Sequence, residues 1–312
     1  MKVTVFTPTY NRAHSLGRVY NSLMKQTYKE FIWLIIDDGS TDNTKDVVDS
    51  WIKENIIKID YRYKSNGGKH TAMKLAFATT ETKYLIGLDS DDELVPDAIE
   101  VFINEWAKIE NTELENCIAE IRALSKYNGK LNGNFYFPEG AYFFDLTWHE
   151  MVLKKNNHNE CISCWNVRKL NESVEIPDTF WLSDRANHYG ETILWAQLGR
   201  KYKSRYIDAY LLNIHYDVGP SILRNENKEQ SHLNGIVLSF NFLNENMNYF
   251  WMRPSVFVKS VLFQIIYSTE YKVSILDTVK HITSKKYMFL YLLFYPLGLL
   301  LWPVWKTINK LR

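Results

Sequence analysis

Strand-like and helix-like segments alternate strictly over the first ninety residues, and that alternation constrains the fold more than any other feature of the chain. Residues 3–7 form a β-branched apolar run, and the segment 16–25 behind it puts Leu16, Val19, Tyr20 and Leu23 on one helical face. A second apolar run follows at 31–36, and Thr41 or Asp42 is placed to cap a helix reaching Trp51. A third run at 56–63, a helix at 69–78 and a fourth run at 84–88 complete the series. Strands joined through helices imply a parallel sheet, and ligands of such sheets bind beyond the carboxyl ends of the strands.

Those strand ends are polar. The first runs into Thr7-Pro8-Thr9-Tyr10-Asn11-Arg12, the second into Asp37-Asp38-Gly39-Ser40-Thr41-Asp42, and the fourth into Asp89-Ser90-Asp91-Asp92. Adjacent carboxylates after a buried run are costly unless a cation or hydrogen bonds neutralise them. Asp89, Ser90 and Asp91 form a DxD, and Mg2+ or Mn2+ typically takes one or two protein carboxylates and completes its shell with water and phosphate oxygens. The bland alternative is a solvated turn or a cap for a helix at 96–106. Between the third run and its helix, Ser65-Asn66-Gly67-Gly68-Lys69-His70 lets the backbone approach a ligand closely, and a helix N-terminus follows. Gly68 and Lys69 suit a diphosphate, with the lysine as a point charge; the alternative is a plain Gly-Gly turn with a solvated lysine.

Net charge narrows the partners. With 37 Lys and Arg against 36 Asp and Glu, the chain has no general field for nucleic acid, so any anion site is local. Its 46% hydrophobic content can fill a sizeable core. Cys117, Cys161 and Cys164 make no disulfide framework and no charged-then-apolar secretory segment precedes the first strand, which together point to a reducing cytoplasm. Cys161 and Cys164 have the spacing of half a zinc site, but no second half is near, so they read as ordinary thiols.

Taken in order, the three motifs TPTYNR, DDGSTDNT and LDSDDELVPD resemble those of family 2 glycosyltransferases, closely over the first hundred residues and loosely beyond. The resemblance implies an α/β fold of GT-A type (Rossmann-like), the nucleotide-diphospho-sugar transferase fold, here with a C-terminal helical appendage. It implies transfer of a sugar from a nucleotide diphosphate donor, a UDP-sugar in the first instance, to a hydroxyl of a glycan or lipid-linked acceptor. The reaction would be metal-dependent, with Mn2+ or Mg2+, and inverting. By position, Pro8 and Tyr10 flank the uracil and Asp38 accepts its ring N–H, as an aromatic face and a carboxylate suit such a base. Asp89 faces the ribose or the metal shell, Ser90 joins the nucleotide-sugar-binding residues, Asp91 is the direct metal ligand, and Asp92 supports the turn. One departure lies in the helix after Gly68: where many members carry Arg-Asn or an Asn further along, this chain has Met73-Lys74.

For the general base the family pattern is an acidic pair ahead of a Trp-bearing helix, and the equivalent here is Tyr189-Gly190-Glu191-Thr192-Ile193-Leu194-Trp195. Thr192 is no base at neutral pH, so Glu191 is preferred, with Asp184 as the alternative carboxylate. His215, at the end of a strand-like run 209–214, either joins the metal shell or is structural. Trp148, Trp165, Trp181 and Trp195 line a sugar cleft or fill a core.

The organisation expected is a catalytic domain over 1–220, with a nucleotide-binding half at 1–100 and an acceptor half at 101–220, then a helical region over 221–312, with helix expected from about 225 to 280. From about residue 93 the alternation is lost. Near the end, the uncharged run 287–305 stands between Lys285-Lys286 and Lys306, Lys310 and Arg312. Pro296, Gly298 and Pro303 interrupt it, which favours shallow or re-entrant insertion at the cytoplasmic face of the cell membrane, with Tyr287, Trp302 and Trp305 at the interface and the lysines on anionic headgroups. Packing on the protein's own core or on a second subunit in a homo-oligomer is the alternative. Two rival functions remain: a sugar nucleotidyltransferase, which would carry a Gly-rich basic loop where this chain has Pro8-Thr9-Tyr10, and a silent nucleotide-sugar-binding or membrane-scaffold module, which Thr192 favours.

Overall fold

The computed structural model describes residues 2–131, 137, 139–155, 160–186, 188–215 and 228–310. They form two compact units, one of residues 1–176 with 197–219, the other of residues 177–196 with 220–312.

The first unit is built on one mixed sheet. Strands β1 (Val3–Thr9), β2 (Phe31–Asp37), β3 (Lys58–Tyr63) and β4 (Tyr84–Gly87) alternate with helices α1 (Leu16–Met24), α2 (Thr44–Glu54) and α3 (Lys69–Thr79). All four strands pair in parallel, in the order β3-β2-β1-β4. They form where expected because both faces of the central strands are covered: Val5 and Ile35 on one face have no exposed surface, and Phe6 and Leu34 on the other are at most 3% exposed. Each such side chain contributes roughly 1.5–3 kcal/mol. Helix α1 buries the four residues predicted for its inner face, and Tyr20 stacks on Trp51 of α2 with ring centroids 4.4 Å apart.

The sheet does not stop at residue 93. After β5 (Glu93–Leu94), helix α4 (Ala98–Ile109) and the short α5 (Leu114–Cys117) lead into β6 (Ile118–Tyr127) and β7 (Lys130–Leu131). Then come β8 (Phe143–Leu146), a single π-turn at Glu150–Lys154, β9 (Cys161–Asn166), α6 (Val167–Ser173), α7 (Glu191–Lys201) and β10 (Lys203–Ile214). The order β3-β2-β1-β4-β9-β6-β10-β5 is one continuous sheet, with β9 antiparallel to both β4 and β6. These strands escape hydrophobic-period reading because they bury polar groups: Glu120, Ser163, Ser204 and Arg205 are all at most 5% exposed. Trp165 Nε1 and Ser204 Oγ donate to Glu120 at 2.9 and 2.5 Å, and Arg205 forks onto Asp145 at 2.9 and 2.8 Å. The satisfied carboxylates make that burial tolerable.

The second unit holds α8 (Lys228–Asn246), α9 (Pro254–Glu270), α10 (Ile275–His281) and α11 (Lys285–Lys310). Part of the helical stretch expected from 225, and the boundary placed near Ser221, lie outside the described residues. Residues 177–196 group with these helices because Phe180, Trp181 and Leu182 pack on a cluster of Ala186, Leu233, Ile236 and Val237. The tail corrects two expectations. It is one helix that runs through Pro296 and Pro303, and the aromatics assigned to a membrane interface face inward. Tyr287 is fully buried and donates to Gln264, Trp302 Nε1 donates to Glu270 at 2.8 Å, and the Trp305 ring meets Tyr267 edge-on at 4.6 Å.

Candidate active site

Four parallel strands side by side bring the loops after β1, β2, β3 and β4 to one edge of the sheet. The first two loops are sewn together by Asn11, whose φ of 53° lies in the left-handed region that Asn tolerates. Its Oδ1 accepts the N–H groups of Thr41 and Asp42 at 2.7 and 3.2 Å, and its own N–H donates to Ser40 Oγ at 2.8 Å. The α2 cap is supplied by Asp42 from just outside the helix, accepting Thr44 N–H at 3.0 Å. Burial works against that carboxyl's charge, but the donors of Thr44 and Ala13 outweigh it and hold the group below its ordinary range. This stitching leaves Tyr10 44% exposed beside the half-buried Pro8.

Asp38 is 4% exposed and organises the third loop. Its Oδ1 accepts Gly67 N–H at 3.0 Å and the Lys64 ammonium, and its Oδ2 accepts Gly68 N–H at 2.7 Å. Gly68, φ 88°, opens α3. Gly39 is required twice over: its φ is 87°, and a Cβ there would stand 2.7 Å from the backbone nitrogen of Asn66.

The acidic turn after β4 is held from two sides. From α1 and the loop before it, Ser15 Oγ donates to the Ser90 carbonyl at 3.1 Å, Arg18 donates to the Asp91 carbonyl, and the Arg12 guanidinium stands 3.7 Å from the Asp91 carboxylate. From the end of β10, His215 N–H donates to Asp92 Oδ1 at 3.0 Å, while its ring lies 3.2 Å from Glu93. Lys69 reaches across from α3 to Asp89 at 2.7 Å. Ser90 and Asp92 are buried, whereas the Asp89 side chain is 43% exposed. Burial first, then the charge of Asp89, pushes the Asp92 carboxyl up to about 8.

Pro8, Tyr10, Asp38, Gly68, Lys69, Asp89, Ser90 and Asp91 thus all sit on the loops of one sheet edge, and His215 joins them. Glu191 stands in the first turn of α7 and belongs to the second unit; Asp184, in the same unit, is exposed. Among the described residues no three His, Cys, Asp or Glu side chains are grouped to hold a metal on their own. The Cys161 and Cys164 thiols are free and serve the core: burial pushes Cys161 up to about 11, and Cys164 accepts Trp106 Nε1. Trp148 and Trp165 are likewise buried, Trp148 beneath Gly199 and Trp165 against Gly87. Sequence reasoning missed Ser15, Arg18 and Lys64, whose partners lie 26 to 75 residues away.

The profile described as Glycosyl transferase family 2 matches residues 4–188, more than half of the chain. Among curated relatives, the chondroitin synthase of Pasteurella multocida is 36% identical over 106 residues, 34% of this chain but 11% of that protein. Glycosyltransferase GlyG of Streptococcus pneumoniae is 26% identical over 182 residues, 58% of this chain and 56% of its own length. The chain therefore spans little more than a tenth to about half of these relatives. Among solved structures, residues 1–349 of S. aureus TarS in complex with UDP-GlcNAc superpose with a TM-score of 0.58 at 16% identity, over 90% of this chain and 78% of that one. The mannosyltransferase PcManGT of Pyrobaculum calidifontis, solved with GDP-Man and Mn2+, gives 0.51 at 12% identity, over 94% and 86%. With the sheet, the ordered loops and the profile in agreement, the chain belongs to glycosyl transferase family 2 and is a glycosyltransferase of the GT-A fold.

Proposed function

We propose that this enzyme transfers a sugar from a nucleotide diphosphate donor, in the first instance a UDP-sugar, to a hydroxyl of a glycan or lipid-linked acceptor at the inner face of the cell membrane, with inversion. The observation that carries the donor reading is the Asp89-Ser90-Asp91 turn, held by α1 and β10 beside the Gly67-Gly68 loop. Its two reachable carboxylates fit Mn2+ or Mg2+, with Asp91 and Asp89 as ligands and the rest of the shell left to water and phosphate. A cation bound there offsets the charge that develops on the leaving diphosphate.

The protein's own groups do the remainder. Tyr10 and Pro8 flank the base, and Asp38 Oδ2 keeps a lone pair beyond the one taken by Gly68 for a ring N–H. Lys69 lends its ammonium to the diphosphate. Glu191 takes the proton of the attacking acceptor hydroxyl. Residues 1–100 serve the donor and residues 101–220 shape the acceptor side. The named complexes of TarS with UDP-GlcNAc and PcManGT with GDP-Man and Mn2+ support a nucleotide-sugar donor.

The test is slow donor hydrolysis across UDP- and GDP-sugars with Mn2+ or Mg2+. One UDP-sugar should release UDP faster than the others and only with the cation. If a GDP-sugar is the preferred donor, the base assignment is wrong; if none is hydrolysed or transferred, so is the donor class.

A further inference from the structure

The terminal helix α11 has two unlike faces. One is committed to α9: Tyr287 and Tyr291 have no exposed surface, and a Cβ on Gly298 would stand 2.5 Å from Ile265, so the two helices touch backbone to side chain. The opposite face repeats every three or four residues through Phe289, Leu293, Leu297, Leu300, Val304 and Ile308, all exposed, with Phe289 at 66% and Leu300 at 74%. By length and composition the helix over Lys285–Ile308 could cross a bilayer, rising about 36 Å. Its packed face argues against that. A crossing helix would draw Glu270, bonded to Trp302 and 3.7 Å from Lys306, toward hydrocarbon, where an ionisable group is expensive.

Charge selects what covers the exposed face. Residues 271–312 hold seven Lys and Arg against one acidic residue, while the other 270 hold 30 against 35. Lys285 and Lys286 flank one end of the apolar ridge and Lys306 and Lys310 the other. A second copy docking by a two-fold axis would set this basic surface against itself. An anionic lipid surface complements both the ridge and its flanks.

We infer that α11 is an in-plane membrane-docking element: it lies flat on an anionic bilayer, sinks the Phe289–Leu293–Leu300–Val304 ridge into the acyl boundary, and keeps Tyr287, Tyr291 and Trp302 on the protein. This reverses the aromatic-anchor arrangement expected from the sequence and does not depend on the donor or the reaction.

The test is flotation of the full-length chain with vesicles of equimolar phosphatidylglycerol and phosphatidylcholine, against phosphatidylcholine alone. Wild type should float with the anionic vesicles, several-fold less with the neutral ones. Leu293→Asp/Leu300→Asp should lower flotation about tenfold or more with an unchanged circular dichroism spectrum. Ile56→Asp, which places the same charge on another exposed apolar residue, should float as wild type does. Three results overturn the inference: no flotation of wild type, full flotation of the double variant, or a wild-type dimer in sedimentation that the double variant dissolves. Each leaves donor hydrolysis, and so the donor and reaction reading, unaffected; failure of wild type to float would also remove the membrane placement.

Discussion

Asp89 and Asp91 share a motif but not an environment. Asp89 is paired with Lys69 at 2.7 Å on a half-exposed side chain, while Asp91 is anchored through its carbonyl and has the Arg12 guanidinium at 3.7 Å. Removing the charge of Asp91 takes away the proposed ligand with the better-fixed backbone, so Asp91→Asn should nearly abolish transfer and weaken donor binding in Mn2+, and Asp89→Asn should be less complete. Initial rates across a cation titration check this; a wild-type rate that survives exhaustive chelation sinks the metal assignment. For the base, Glu191→Gln should lower kcat by roughly a hundred to ten thousand with donor affinity little changed, and Asp184→Asn should stay near wild type. The reverse pattern would transfer the role to Asp184. At this scale the gathering of these loops on one sheet edge was legible because each is a contiguous motif at a strand end. Arg18 and Lys64 were not, because each acts on a group distant in sequence, a carbonyl and a buried carboxylate, and no local spacing records that.

Among the elements, the loop after β2 is the one whose geometry is most tightly specified. Gly39→Ala meets both a positive φ and a backbone nitrogen at 2.7 Å, whereas Gly129→Ala meets a φ of 74° with open space around it. Gly129→Ala should therefore cost about 1 kcal/mol and Gly39→Ala clearly more, about 2–4 kcal/mol, because a φ penalty alone is of order 1–3 kcal/mol and a backbone must also shift. Urea midpoints compare them; equal losses would mean the Asn66 contact relaxes freely. The same elements show why half of the sheet could be read and half could not. Strands β1, β2 and β4 are apolar on both faces and announce themselves, while β6, β9 and β10 carry Glu120, Ser163, Ser204 and Arg205 inside and lose the period. In α11 the prolines argued for a break, but the contact of Gly298 with Ile265 and the burial of Tyr287 and Tyr291 hold the helix through them.

For the whole molecule, donor binding must appear as stability. A ligand that binds only the folded chain stabilises it by RT ln(1 + [L]/Kd), about 2.7 kcal/mol at a hundredfold excess over Kd. Unfolding entropy near 2.1 cal/mol/K per residue over 312 residues converts this to a rise in Tm of about 4 °C. The preferred UDP-sugar with Mn2+ should give that shift, and chelation should remove most of it, because without the cation the Asp89 and Asp91 carboxylates oppose the like charge of the diphosphate. Asp91→Asn should melt near wild type without donor yet show little further shift with it, separating lost binding from lost folding. Tyr10→Ala should shrink the shift for every uracil nucleotide while leaving the cation requirement in place, because the proposed role of the ring is to flank the base and not the phosphates. A full shift that persists in chelator, or in Asp91→Asn, would mean that the nucleotide is held without the acidic turn, and the DxD assignment would fall even if transfer itself were confirmed.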